Sequence, residues 1–174
     1  PLAKLLASIP NIPDEVVENT PRHFRQALEE LLSGYNTDPD SLIKEFEKAQ
    51  SSSMIVVKDI PFYSLCEHHI LPFSGIVHVG YIPKESVLGL SKIHRLIQMY
   101  SRRLQIQERL TQQIADFIWE KLKPEGVAVV VEAEHLCVMS RGARSSGSFI
   151  TSEMRGSFME EASTRSEFLQ LIKG

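Results

Sequence analysis

The chain has 174 residues, of which 43% are hydrophobic and 24% charged, with a formal net charge of −3. That length suits one domain with a core that needs no staples, and the balanced charge gives no reason to expect nucleic acid or an anionic membrane as the main partner. No apolar run approaches the roughly 20 residues that span a bilayer, no signal-peptide pattern opens the chain, and the expected location is the cytoplasm.

Residues 1–50 read as a helical region. Thr20 and Pro21 mark a helix start, and Gly34 marks its stop. Phe24, Ala27, Leu28, Leu31 and Leu32 make the apolar stripe between them. Asp38-Pro39 starts a second short helix running through Ile43 and Phe46. From residue 51 the pattern turns to strands: Met54 to Ile60 is apolar and β-branched, and Ile76 to Ile82 alternates between Gly75 and Pro83. Helical spacing returns in Leu90, Ile93, Leu96, Ile97, Tyr100 and Leu104, and again in Leu110, Ile114, Phe117, Ile118 and Leu122. Pro124-Glu125-Gly126 ends the second of these helices. Val127 to Leu136 is a strong strand, and Phe149 to Phe158 another after a Ser/Gly-rich turn. Ser163 to Lys173 is a short amphipathic helix. This order predicts an α+β domain: an antiparallel sheet with two long helices on one face and an N-terminal helical extension.

The two cysteines are the most informative residues. Cys66 opens the run Cys66-Glu67-His68-His69, and Cys137 closes His135-Leu136-Cys137. Two thiolates and one imidazole form a three-ligand zinc set with the fourth tetrahedral position free for water, the arrangement of catalytic rather than structural zinc. Cys66 and His69, three apart, can meet one metal if the segment turns, and His68 then projects elsewhere. Period-two alternation from Val127 puts His135 and Cys137 on one strand face. His68 and His135 remain as imidazoles suited to moving protons near neutral pH. The competing readings are a disulfide, two idle thiols, and histidines on a solvated loop.

Two further clusters carry charge. In Gly89-Leu90-Ser91-Lys92-Ile93-His94-Arg95 a helix start coincides with two cations on one face. Free N–H groups and the helix dipole favour an anion there, phosphate above all. The alternative is the wet face of an amphipathic helix. Arg141 can bring another guanidinium near. In Gln105-Ile106-Gln107-Glu108-Arg109, Glu108 is either a helix-start residue or an acceptor for two parallel N–H bonds from a flat heterocycle such as guanine.

Together these segments resemble GTP cyclohydrolase I. The resemblance is carried by Cys66-Glu67-His68-His69-Ile70-Leu71-Pro72-Phe73, Gly75-x-x-His78-x-x-Tyr81-Ile82-Pro83, Gly89-Leu90-Ser91-Lys92-x-x-Arg95, Gln105-x-Gln107-Glu108-Arg109-Leu110-Thr111 and His135-x-Cys137-x-x-x-Arg141-Gly142, in family order from about Thr20 onward. It implies the tunnelling fold, with residues 51–174 as the catalytic region of a single domain. It also implies a homo-oligomer, a decamer of two pentamers with active sites at subunit boundaries. By position, Cys66, His69 and Cys137 match the zinc ligands, and His68 and His135 the proton-transfer histidines. Ser91, Lys92, Arg95 and Arg141 match triphosphate contacts, and Gln107 and Glu108 guanine-side residues.

The implied reaction is GTP plus water to 7,8-dihydroneopterin triphosphate plus formate, the entry step to folate and pterin synthesis. In it His135 protonates the departing ring nitrogen, His68 assists ribose opening, and Ser91 the sugar rearrangement. Two departures from the family pattern stand out. Two residues beyond Pro21 the family usually has arginine reaching a neighbour's phosphates; here His23 stands there, flanked by Arg22 and Arg25. The loop Arg144 to Phe149 is about one residue shorter than its counterpart and poorer in polar and basic residues. The other functional readings are a non-catalytic purine- or pterin-binding paralogue, and an enzyme of the same fold acting on a related heterocycle such as a deazapurine. The complete Cys/His set argues against the first, and Lys92, Arg95 and Arg141 against the second.

Overall fold

A computed structural model describes residues 1–43, 47–48 and 53–173. Two helices open the chain, α1 (Leu2–Ala7) and α2 (Asp14–Leu31), followed by single turns of 3-10 helix at Ser33–Asn36 and Pro39–Ile43. Helix α2 begins seven residues earlier than Thr20-Pro21 suggests. Pro13 with Asp14 and Glu15 forms its actual start, acids at the positive end of the dipole, and Pro21 sits inside the helix at the cost of one backbone bond. The predicted reach of the next helix to Phe46 lies outside the described residues, as does the 50/51 boundary.

Strands β1 (Glu47–Lys48) and β4 (Ser86–Val87) form a small ladder. The main sheet is built from β2 (Ile55–Cys66), β3 (Pro72–Ile82), β5 (Leu104–Gln105), β6 (Gly126–His135) and β7 (Phe149–Gly156), in the order β5-β2-β3-β6-β7. Neighbours are antiparallel except β5, which runs parallel to the end of β2. Helices α3 (Leu90–Ser101) and α4 (Gln107–Leu122) connect β4 to β5 and β5 to β6. Single turns α5 (Leu136–Met139) and α6 (Ser157–Glu160) follow β6 and β7, and α7 (Ala162–Lys173) closes the fold.

Several element boundaries differ from the sequence pattern, β3 beginning at Pro72 rather than Ile76 among them, and three have a plain local reason. Strand β2 continues past Pro61 to Cys66; Pro61 faces Ile76 of β3, and its outer edge is not covered by β5, which reaches only Leu65 and Cys66. A proline is tolerated on such an edge. Helix α3 ends at Ser101, so Leu104 belongs to β5 instead. Strand β7 stops at Gly156, whose φ of +58° turns the chain. A Cβ there would lie 2.2 Å from the Glu125 carbonyl oxygen.

The main core lies between the sheet and the inner faces of α3 and α4, around Val77, Val79, Ile93, Ile97, Ile114, Ile118, Val129 and Val131, all fully buried. The sheet is not covered on that face alone. Ala128 and Val130 on the opposite face meet Phe158 and Phe168 from α6 and α7, and Gly80 makes room for them, since a Cβ there would come 2.6 Å from the Phe168 ring. Further along the same strand, His78 is 5% exposed and its Nδ1 accepts the Asp59 N–H at 3.2 Å.

Burial holds the His78 imidazole below its usual range, with Asp59 and Glu132 pulling it up and Lys58 pushing it down. A histidine depressed on folding stabilises the native state above its unfolded value of about 6.5, and that contribution is lost as pH falls further. Thermal midpoints should therefore drop by a few degrees between neutral and acid pH, and the drop should be smaller in His78→Asn. Identical pH profiles for the two proteins would show that His78 is not held neutral.

Candidate active site

The chain end of β2 and the start of β3 pair at Leu65 and Pro72, so residues 66–71 make a tight connection. The Ile70 N–H donates to the Cys66 carbonyl at 2.8 Å, and the Cys66 N–H to the Leu71 carbonyl at 2.9 Å. Ile70 takes φ +54° to close this turn. The turn brings His69 back over Cys66. From the other side β6 ends at His135, and α5 carries Cys137 inward. Cys137 therefore lies on a helical turn rather than in strand alternation with His135. The ligand atoms of Cys66, His69 and Cys137 all lie within 4.8 Å of one another. Donors 2.0–2.3 Å from a tetrahedral zinc sit roughly 3.3–3.8 Å apart, so this set can hold such an ion after about 1 Å of closure. Burial and the neighbouring Cys66 push the Cys137 thiol up, a tendency that metal binding reverses because it requires thiolates.

Beside this set lies a cavity of about 320 Å³, lined by Cys66, Cys137, His68, His135, Gln107 and Glu108 among others. His68 Nδ1 is 3.7 Å from Cys66 Sγ, while its side chain is 65% exposed; it thus stands at the mouth. His135 is half-buried. Its ring stacks on Phe73 at 4.6 Å and 4° between planes, and makes a T-shaped contact with Phe149 at 5.4 Å. Burial pushes this imidazole below its usual range, with Glu108 pulling the other way. Glu108 is exposed in the first turn of α4, free to accept a ligand's N–H groups.

Gln107 is 3% exposed and has internal partners for its amide: the Val131 and Phe149 carbonyls and His135 Nε2. Arg109, next but one, reaches back to Glu67 with two bonds of 2.6 and 3.1 Å. The guanidinium holds the Glu67 carboxyl below its usual range and fastens the Cys66–His69 turn to the start of α4. Neither Glu67–Arg109 nor the Phe73 stack is apparent from sequence; a Glu inside Cys-x-His-His and an Arg beside Glu108 were the only available signals.

The cationic residues do not gather at this cavity, whose lining among the described residues contains no Lys or Arg. Arg141 lies beside the metal-ligand group, its Nη1 3.0 Å from His69 Nε2. Ser91, Lys92 and Arg95 lie elsewhere. Helix α3 starts near Tyr81, whose hydroxyl accepts the Leu88 N–H at 3.1 Å, and Tyr81 pairs with Ile55 at the far end of β2 from Cys66. Arg95 faces a separate depression with Gly34, Leu42 and Met99. Arg22 and His23 are exposed on α2, 3.2 Å from each other, and Arg25 is paired with Glu29.

The site thus defines an α+β protein in which a thiolate–imidazole group able to hold a metal adjoins a cavity carrying two more imidazoles. Comparisons with known proteins narrow this class. The family model for GTP cyclohydrolase I matches residues 2–173, and the chain belongs to that family. A GTP cyclohydrolase 1 of Dehalococcoides mccartyi strain BAV1 is 49% identical over 97% of this chain and 92% of its own. That of Methylococcus capsulatus is 54% identical over 91% of this chain and 86% of its own. Among solved structures, an archaeosine synthase QueF-like protein in the apo form shares the fold, with a TM-score of 0.53 at 20% identity, over 62% of this chain and 97% of its own. Among the described residues no helix is long and apolar enough to cross a membrane.

Proposed function

We propose that this protein hydrolyses and rearranges GTP to 7,8-dihydroneopterin triphosphate and formate, on a tunnelling fold assembled as a cytoplasmic decamer of two pentamers and serving folate and pterin synthesis. The observation that carries the reading is the convergence of Cys66, His69 and Cys137 beside a cavity that His68 and His135 line. Cys66, His69 and Cys137 would hold zinc, which when bound supplies Lewis acidity at neutral pH.

The rest of the chemistry falls to the chain. Glu108, at the positive end of α4, accepts the N1–H and 2-amino edge of guanine. His135, clamped between Phe73 and Phe149, carries the proton to the departing ring nitrogen. A depressed imidazole is a stronger acid once protonated, which suits that step. His68, at the mouth, faces the ribose and assists its opening, and Ser91 assists the sugar rearrangement. Among the described residues the cavity lining offers no cation to the triphosphate. Its partners are Arg141 at the metal side and Ser91, Lys92 and Arg95 at the start of α3 of an adjacent copy, with Arg22 and His23 of α2 extending the same basic border.

The test is incubation of zinc-replete protein with GTP, following formate and the fluorescence of oxidised neopterin. Both should appear in equal amounts. Absence of formate from metal-replete protein would overturn the reading.

A further inference from the structure

Gln107 offers two donors on Nε2 and an acceptor on Oε1. Nε2 lies 3.0 Å from the Val131 carbonyl oxygen and 2.8 Å from that of Phe149. Two carbonyls can be served only by the NH₂ end, so the amide has one satisfactory orientation. The atom 2.8 Å from His135 Nε2 is therefore Oε1, which accepts and cannot donate. The hydrogen between them belongs to the imidazole, and a neutral His135 is fixed as the Nε2–H tautomer with Nδ1 bare.

The ring has no easy escape from this assignment. Phe73 covers one face in parallel stacking, and Phe149, whose carbonyl also anchors Gln107, packs against the ring at 78°. Gln107 itself is held at the first position of α4, with the Thr111 hydroxyl donating to its carbonyl at 2.8 Å and meeting Thr151 at 2.6 Å. Strands β6 and β7 and the start of α4 are thus tied together through one amide, and the free valence of that amide is spent on the histidine.

We propose that Gln107 is a positioning residue rather than a guanine contact: it dictates which nitrogen of His135 exchanges a proton with the substrate, and that nitrogen is Nδ1. This rests on the reading of His135 as the proton carrier. Its structural half, the tautomer, is testable without any turnover.

The experiment is solid-state NMR of the zinc-loaded protein labelled with ¹⁵N,¹³C-histidine, with the His135 ring assigned by its loss in His135→Asn. Wild type should show His135 as a single Nε2–H tautomer, and Gln107→Leu a mixture of tautomers. In steady-state assays Gln107→Leu should lose roughly 10- to 100-fold in kcat, the usual scale for a residue that orients a catalytic group, with KM for GTP nearly unchanged. An Nδ1–H tautomer in wild type overturns the proposal, even if the variant fails to fold. So does a pure Nε2–H tautomer in Gln107→Leu, or a raised KM at unchanged kcat. A wild type that shows the expected tautomer but releases no formate from GTP would leave the positioning intact and sink the proposed reaction instead.

Discussion

Cys137→Ala should be purified with far less than one zinc per chain and without measurable turnover, while His68→Ala keeps its zinc and loses roughly 10²–10⁴-fold in rate. The difference follows from position. Cys137 supplies one of the three donors that converge within 4.8 Å among the described residues, and two donors cannot retain zinc against the solvent and ordinary chelators. His68 stands 3.7 Å from Cys66 Sγ but projects to the mouth of the cavity with most of its ring in solvent, where it can meet a substrate and is not needed for the metal. Metal analysis after dialysis, beside an assay of formate release, checks both arms. Stoichiometric zinc and full activity in Cys137→Ala would mean that the site is misassigned; loss of zinc in His68→Ala would mean that the ligand is His68 and not His69.

Much of this site is legible in the sequence because it depends on residue type. Thiol and imidazole are scarce and chemically specific, so Cys66, His69 and Cys137 can be paired across the 70 residues between the cysteines without knowing the fold. What is not legible depends on backbone atoms or on distant packing. Gln107 looks like any polar residue at a helix start; its role is set by the Val131 and Phe149 carbonyls, and carbonyls leave no mark in a sequence. Alternation carries β6 past its real end because Leu136 and Cys137 are as apolar as a strand requires, whereas the chain turns helical there to bring Cys137 to its partners. The covered second face of the sheet was readable in part. Ala128, Val130 and the side-chain-free Gly80 make an apolar patch out of phase with the main core, and Phe158 and Phe168 fill it. Pro21 misleads for a simpler reason: a proline is acceptable in a helix interior when tertiary context outweighs one lost bond.

Two inactive variants should restore one another. Lys92→Ala/Arg95→Ala removes two charge-assisted phosphate contacts, each contributing on the order of 1.5–3 kcal/mol, so it should lose roughly 10²–10⁴-fold in kcat/KM for GTP; Cys137→Ala loses the metal. The two lesions lie apart within one protomer. The C-terminal end of α3 adjoins the metal side, since the Ser64 hydroxyl donates to the Arg103 carbonyl and β5 pairs with Cys66. Twelve residues of helix at 1.5 Å each place Ser91 and Lys92 roughly 15 Å back from that end, toward Tyr81 and Ile55. Among the described residues the cavity lining has no Lys or Arg, so on the proposed reading a triphosphate projecting from it would find, beyond Arg141, its remaining cations on a neighbouring copy. When both variants are co-expressed with different tags and isolated as mixed oligomers, about one quarter of the boundaries should join an intact metal side to an intact cradle in a symmetric ring. Formate release should then rise from near background to about a quarter of wild type, in proportion to that joint probability. Mixed oligomers as inactive as their parents would place cradle and metal within the same copy.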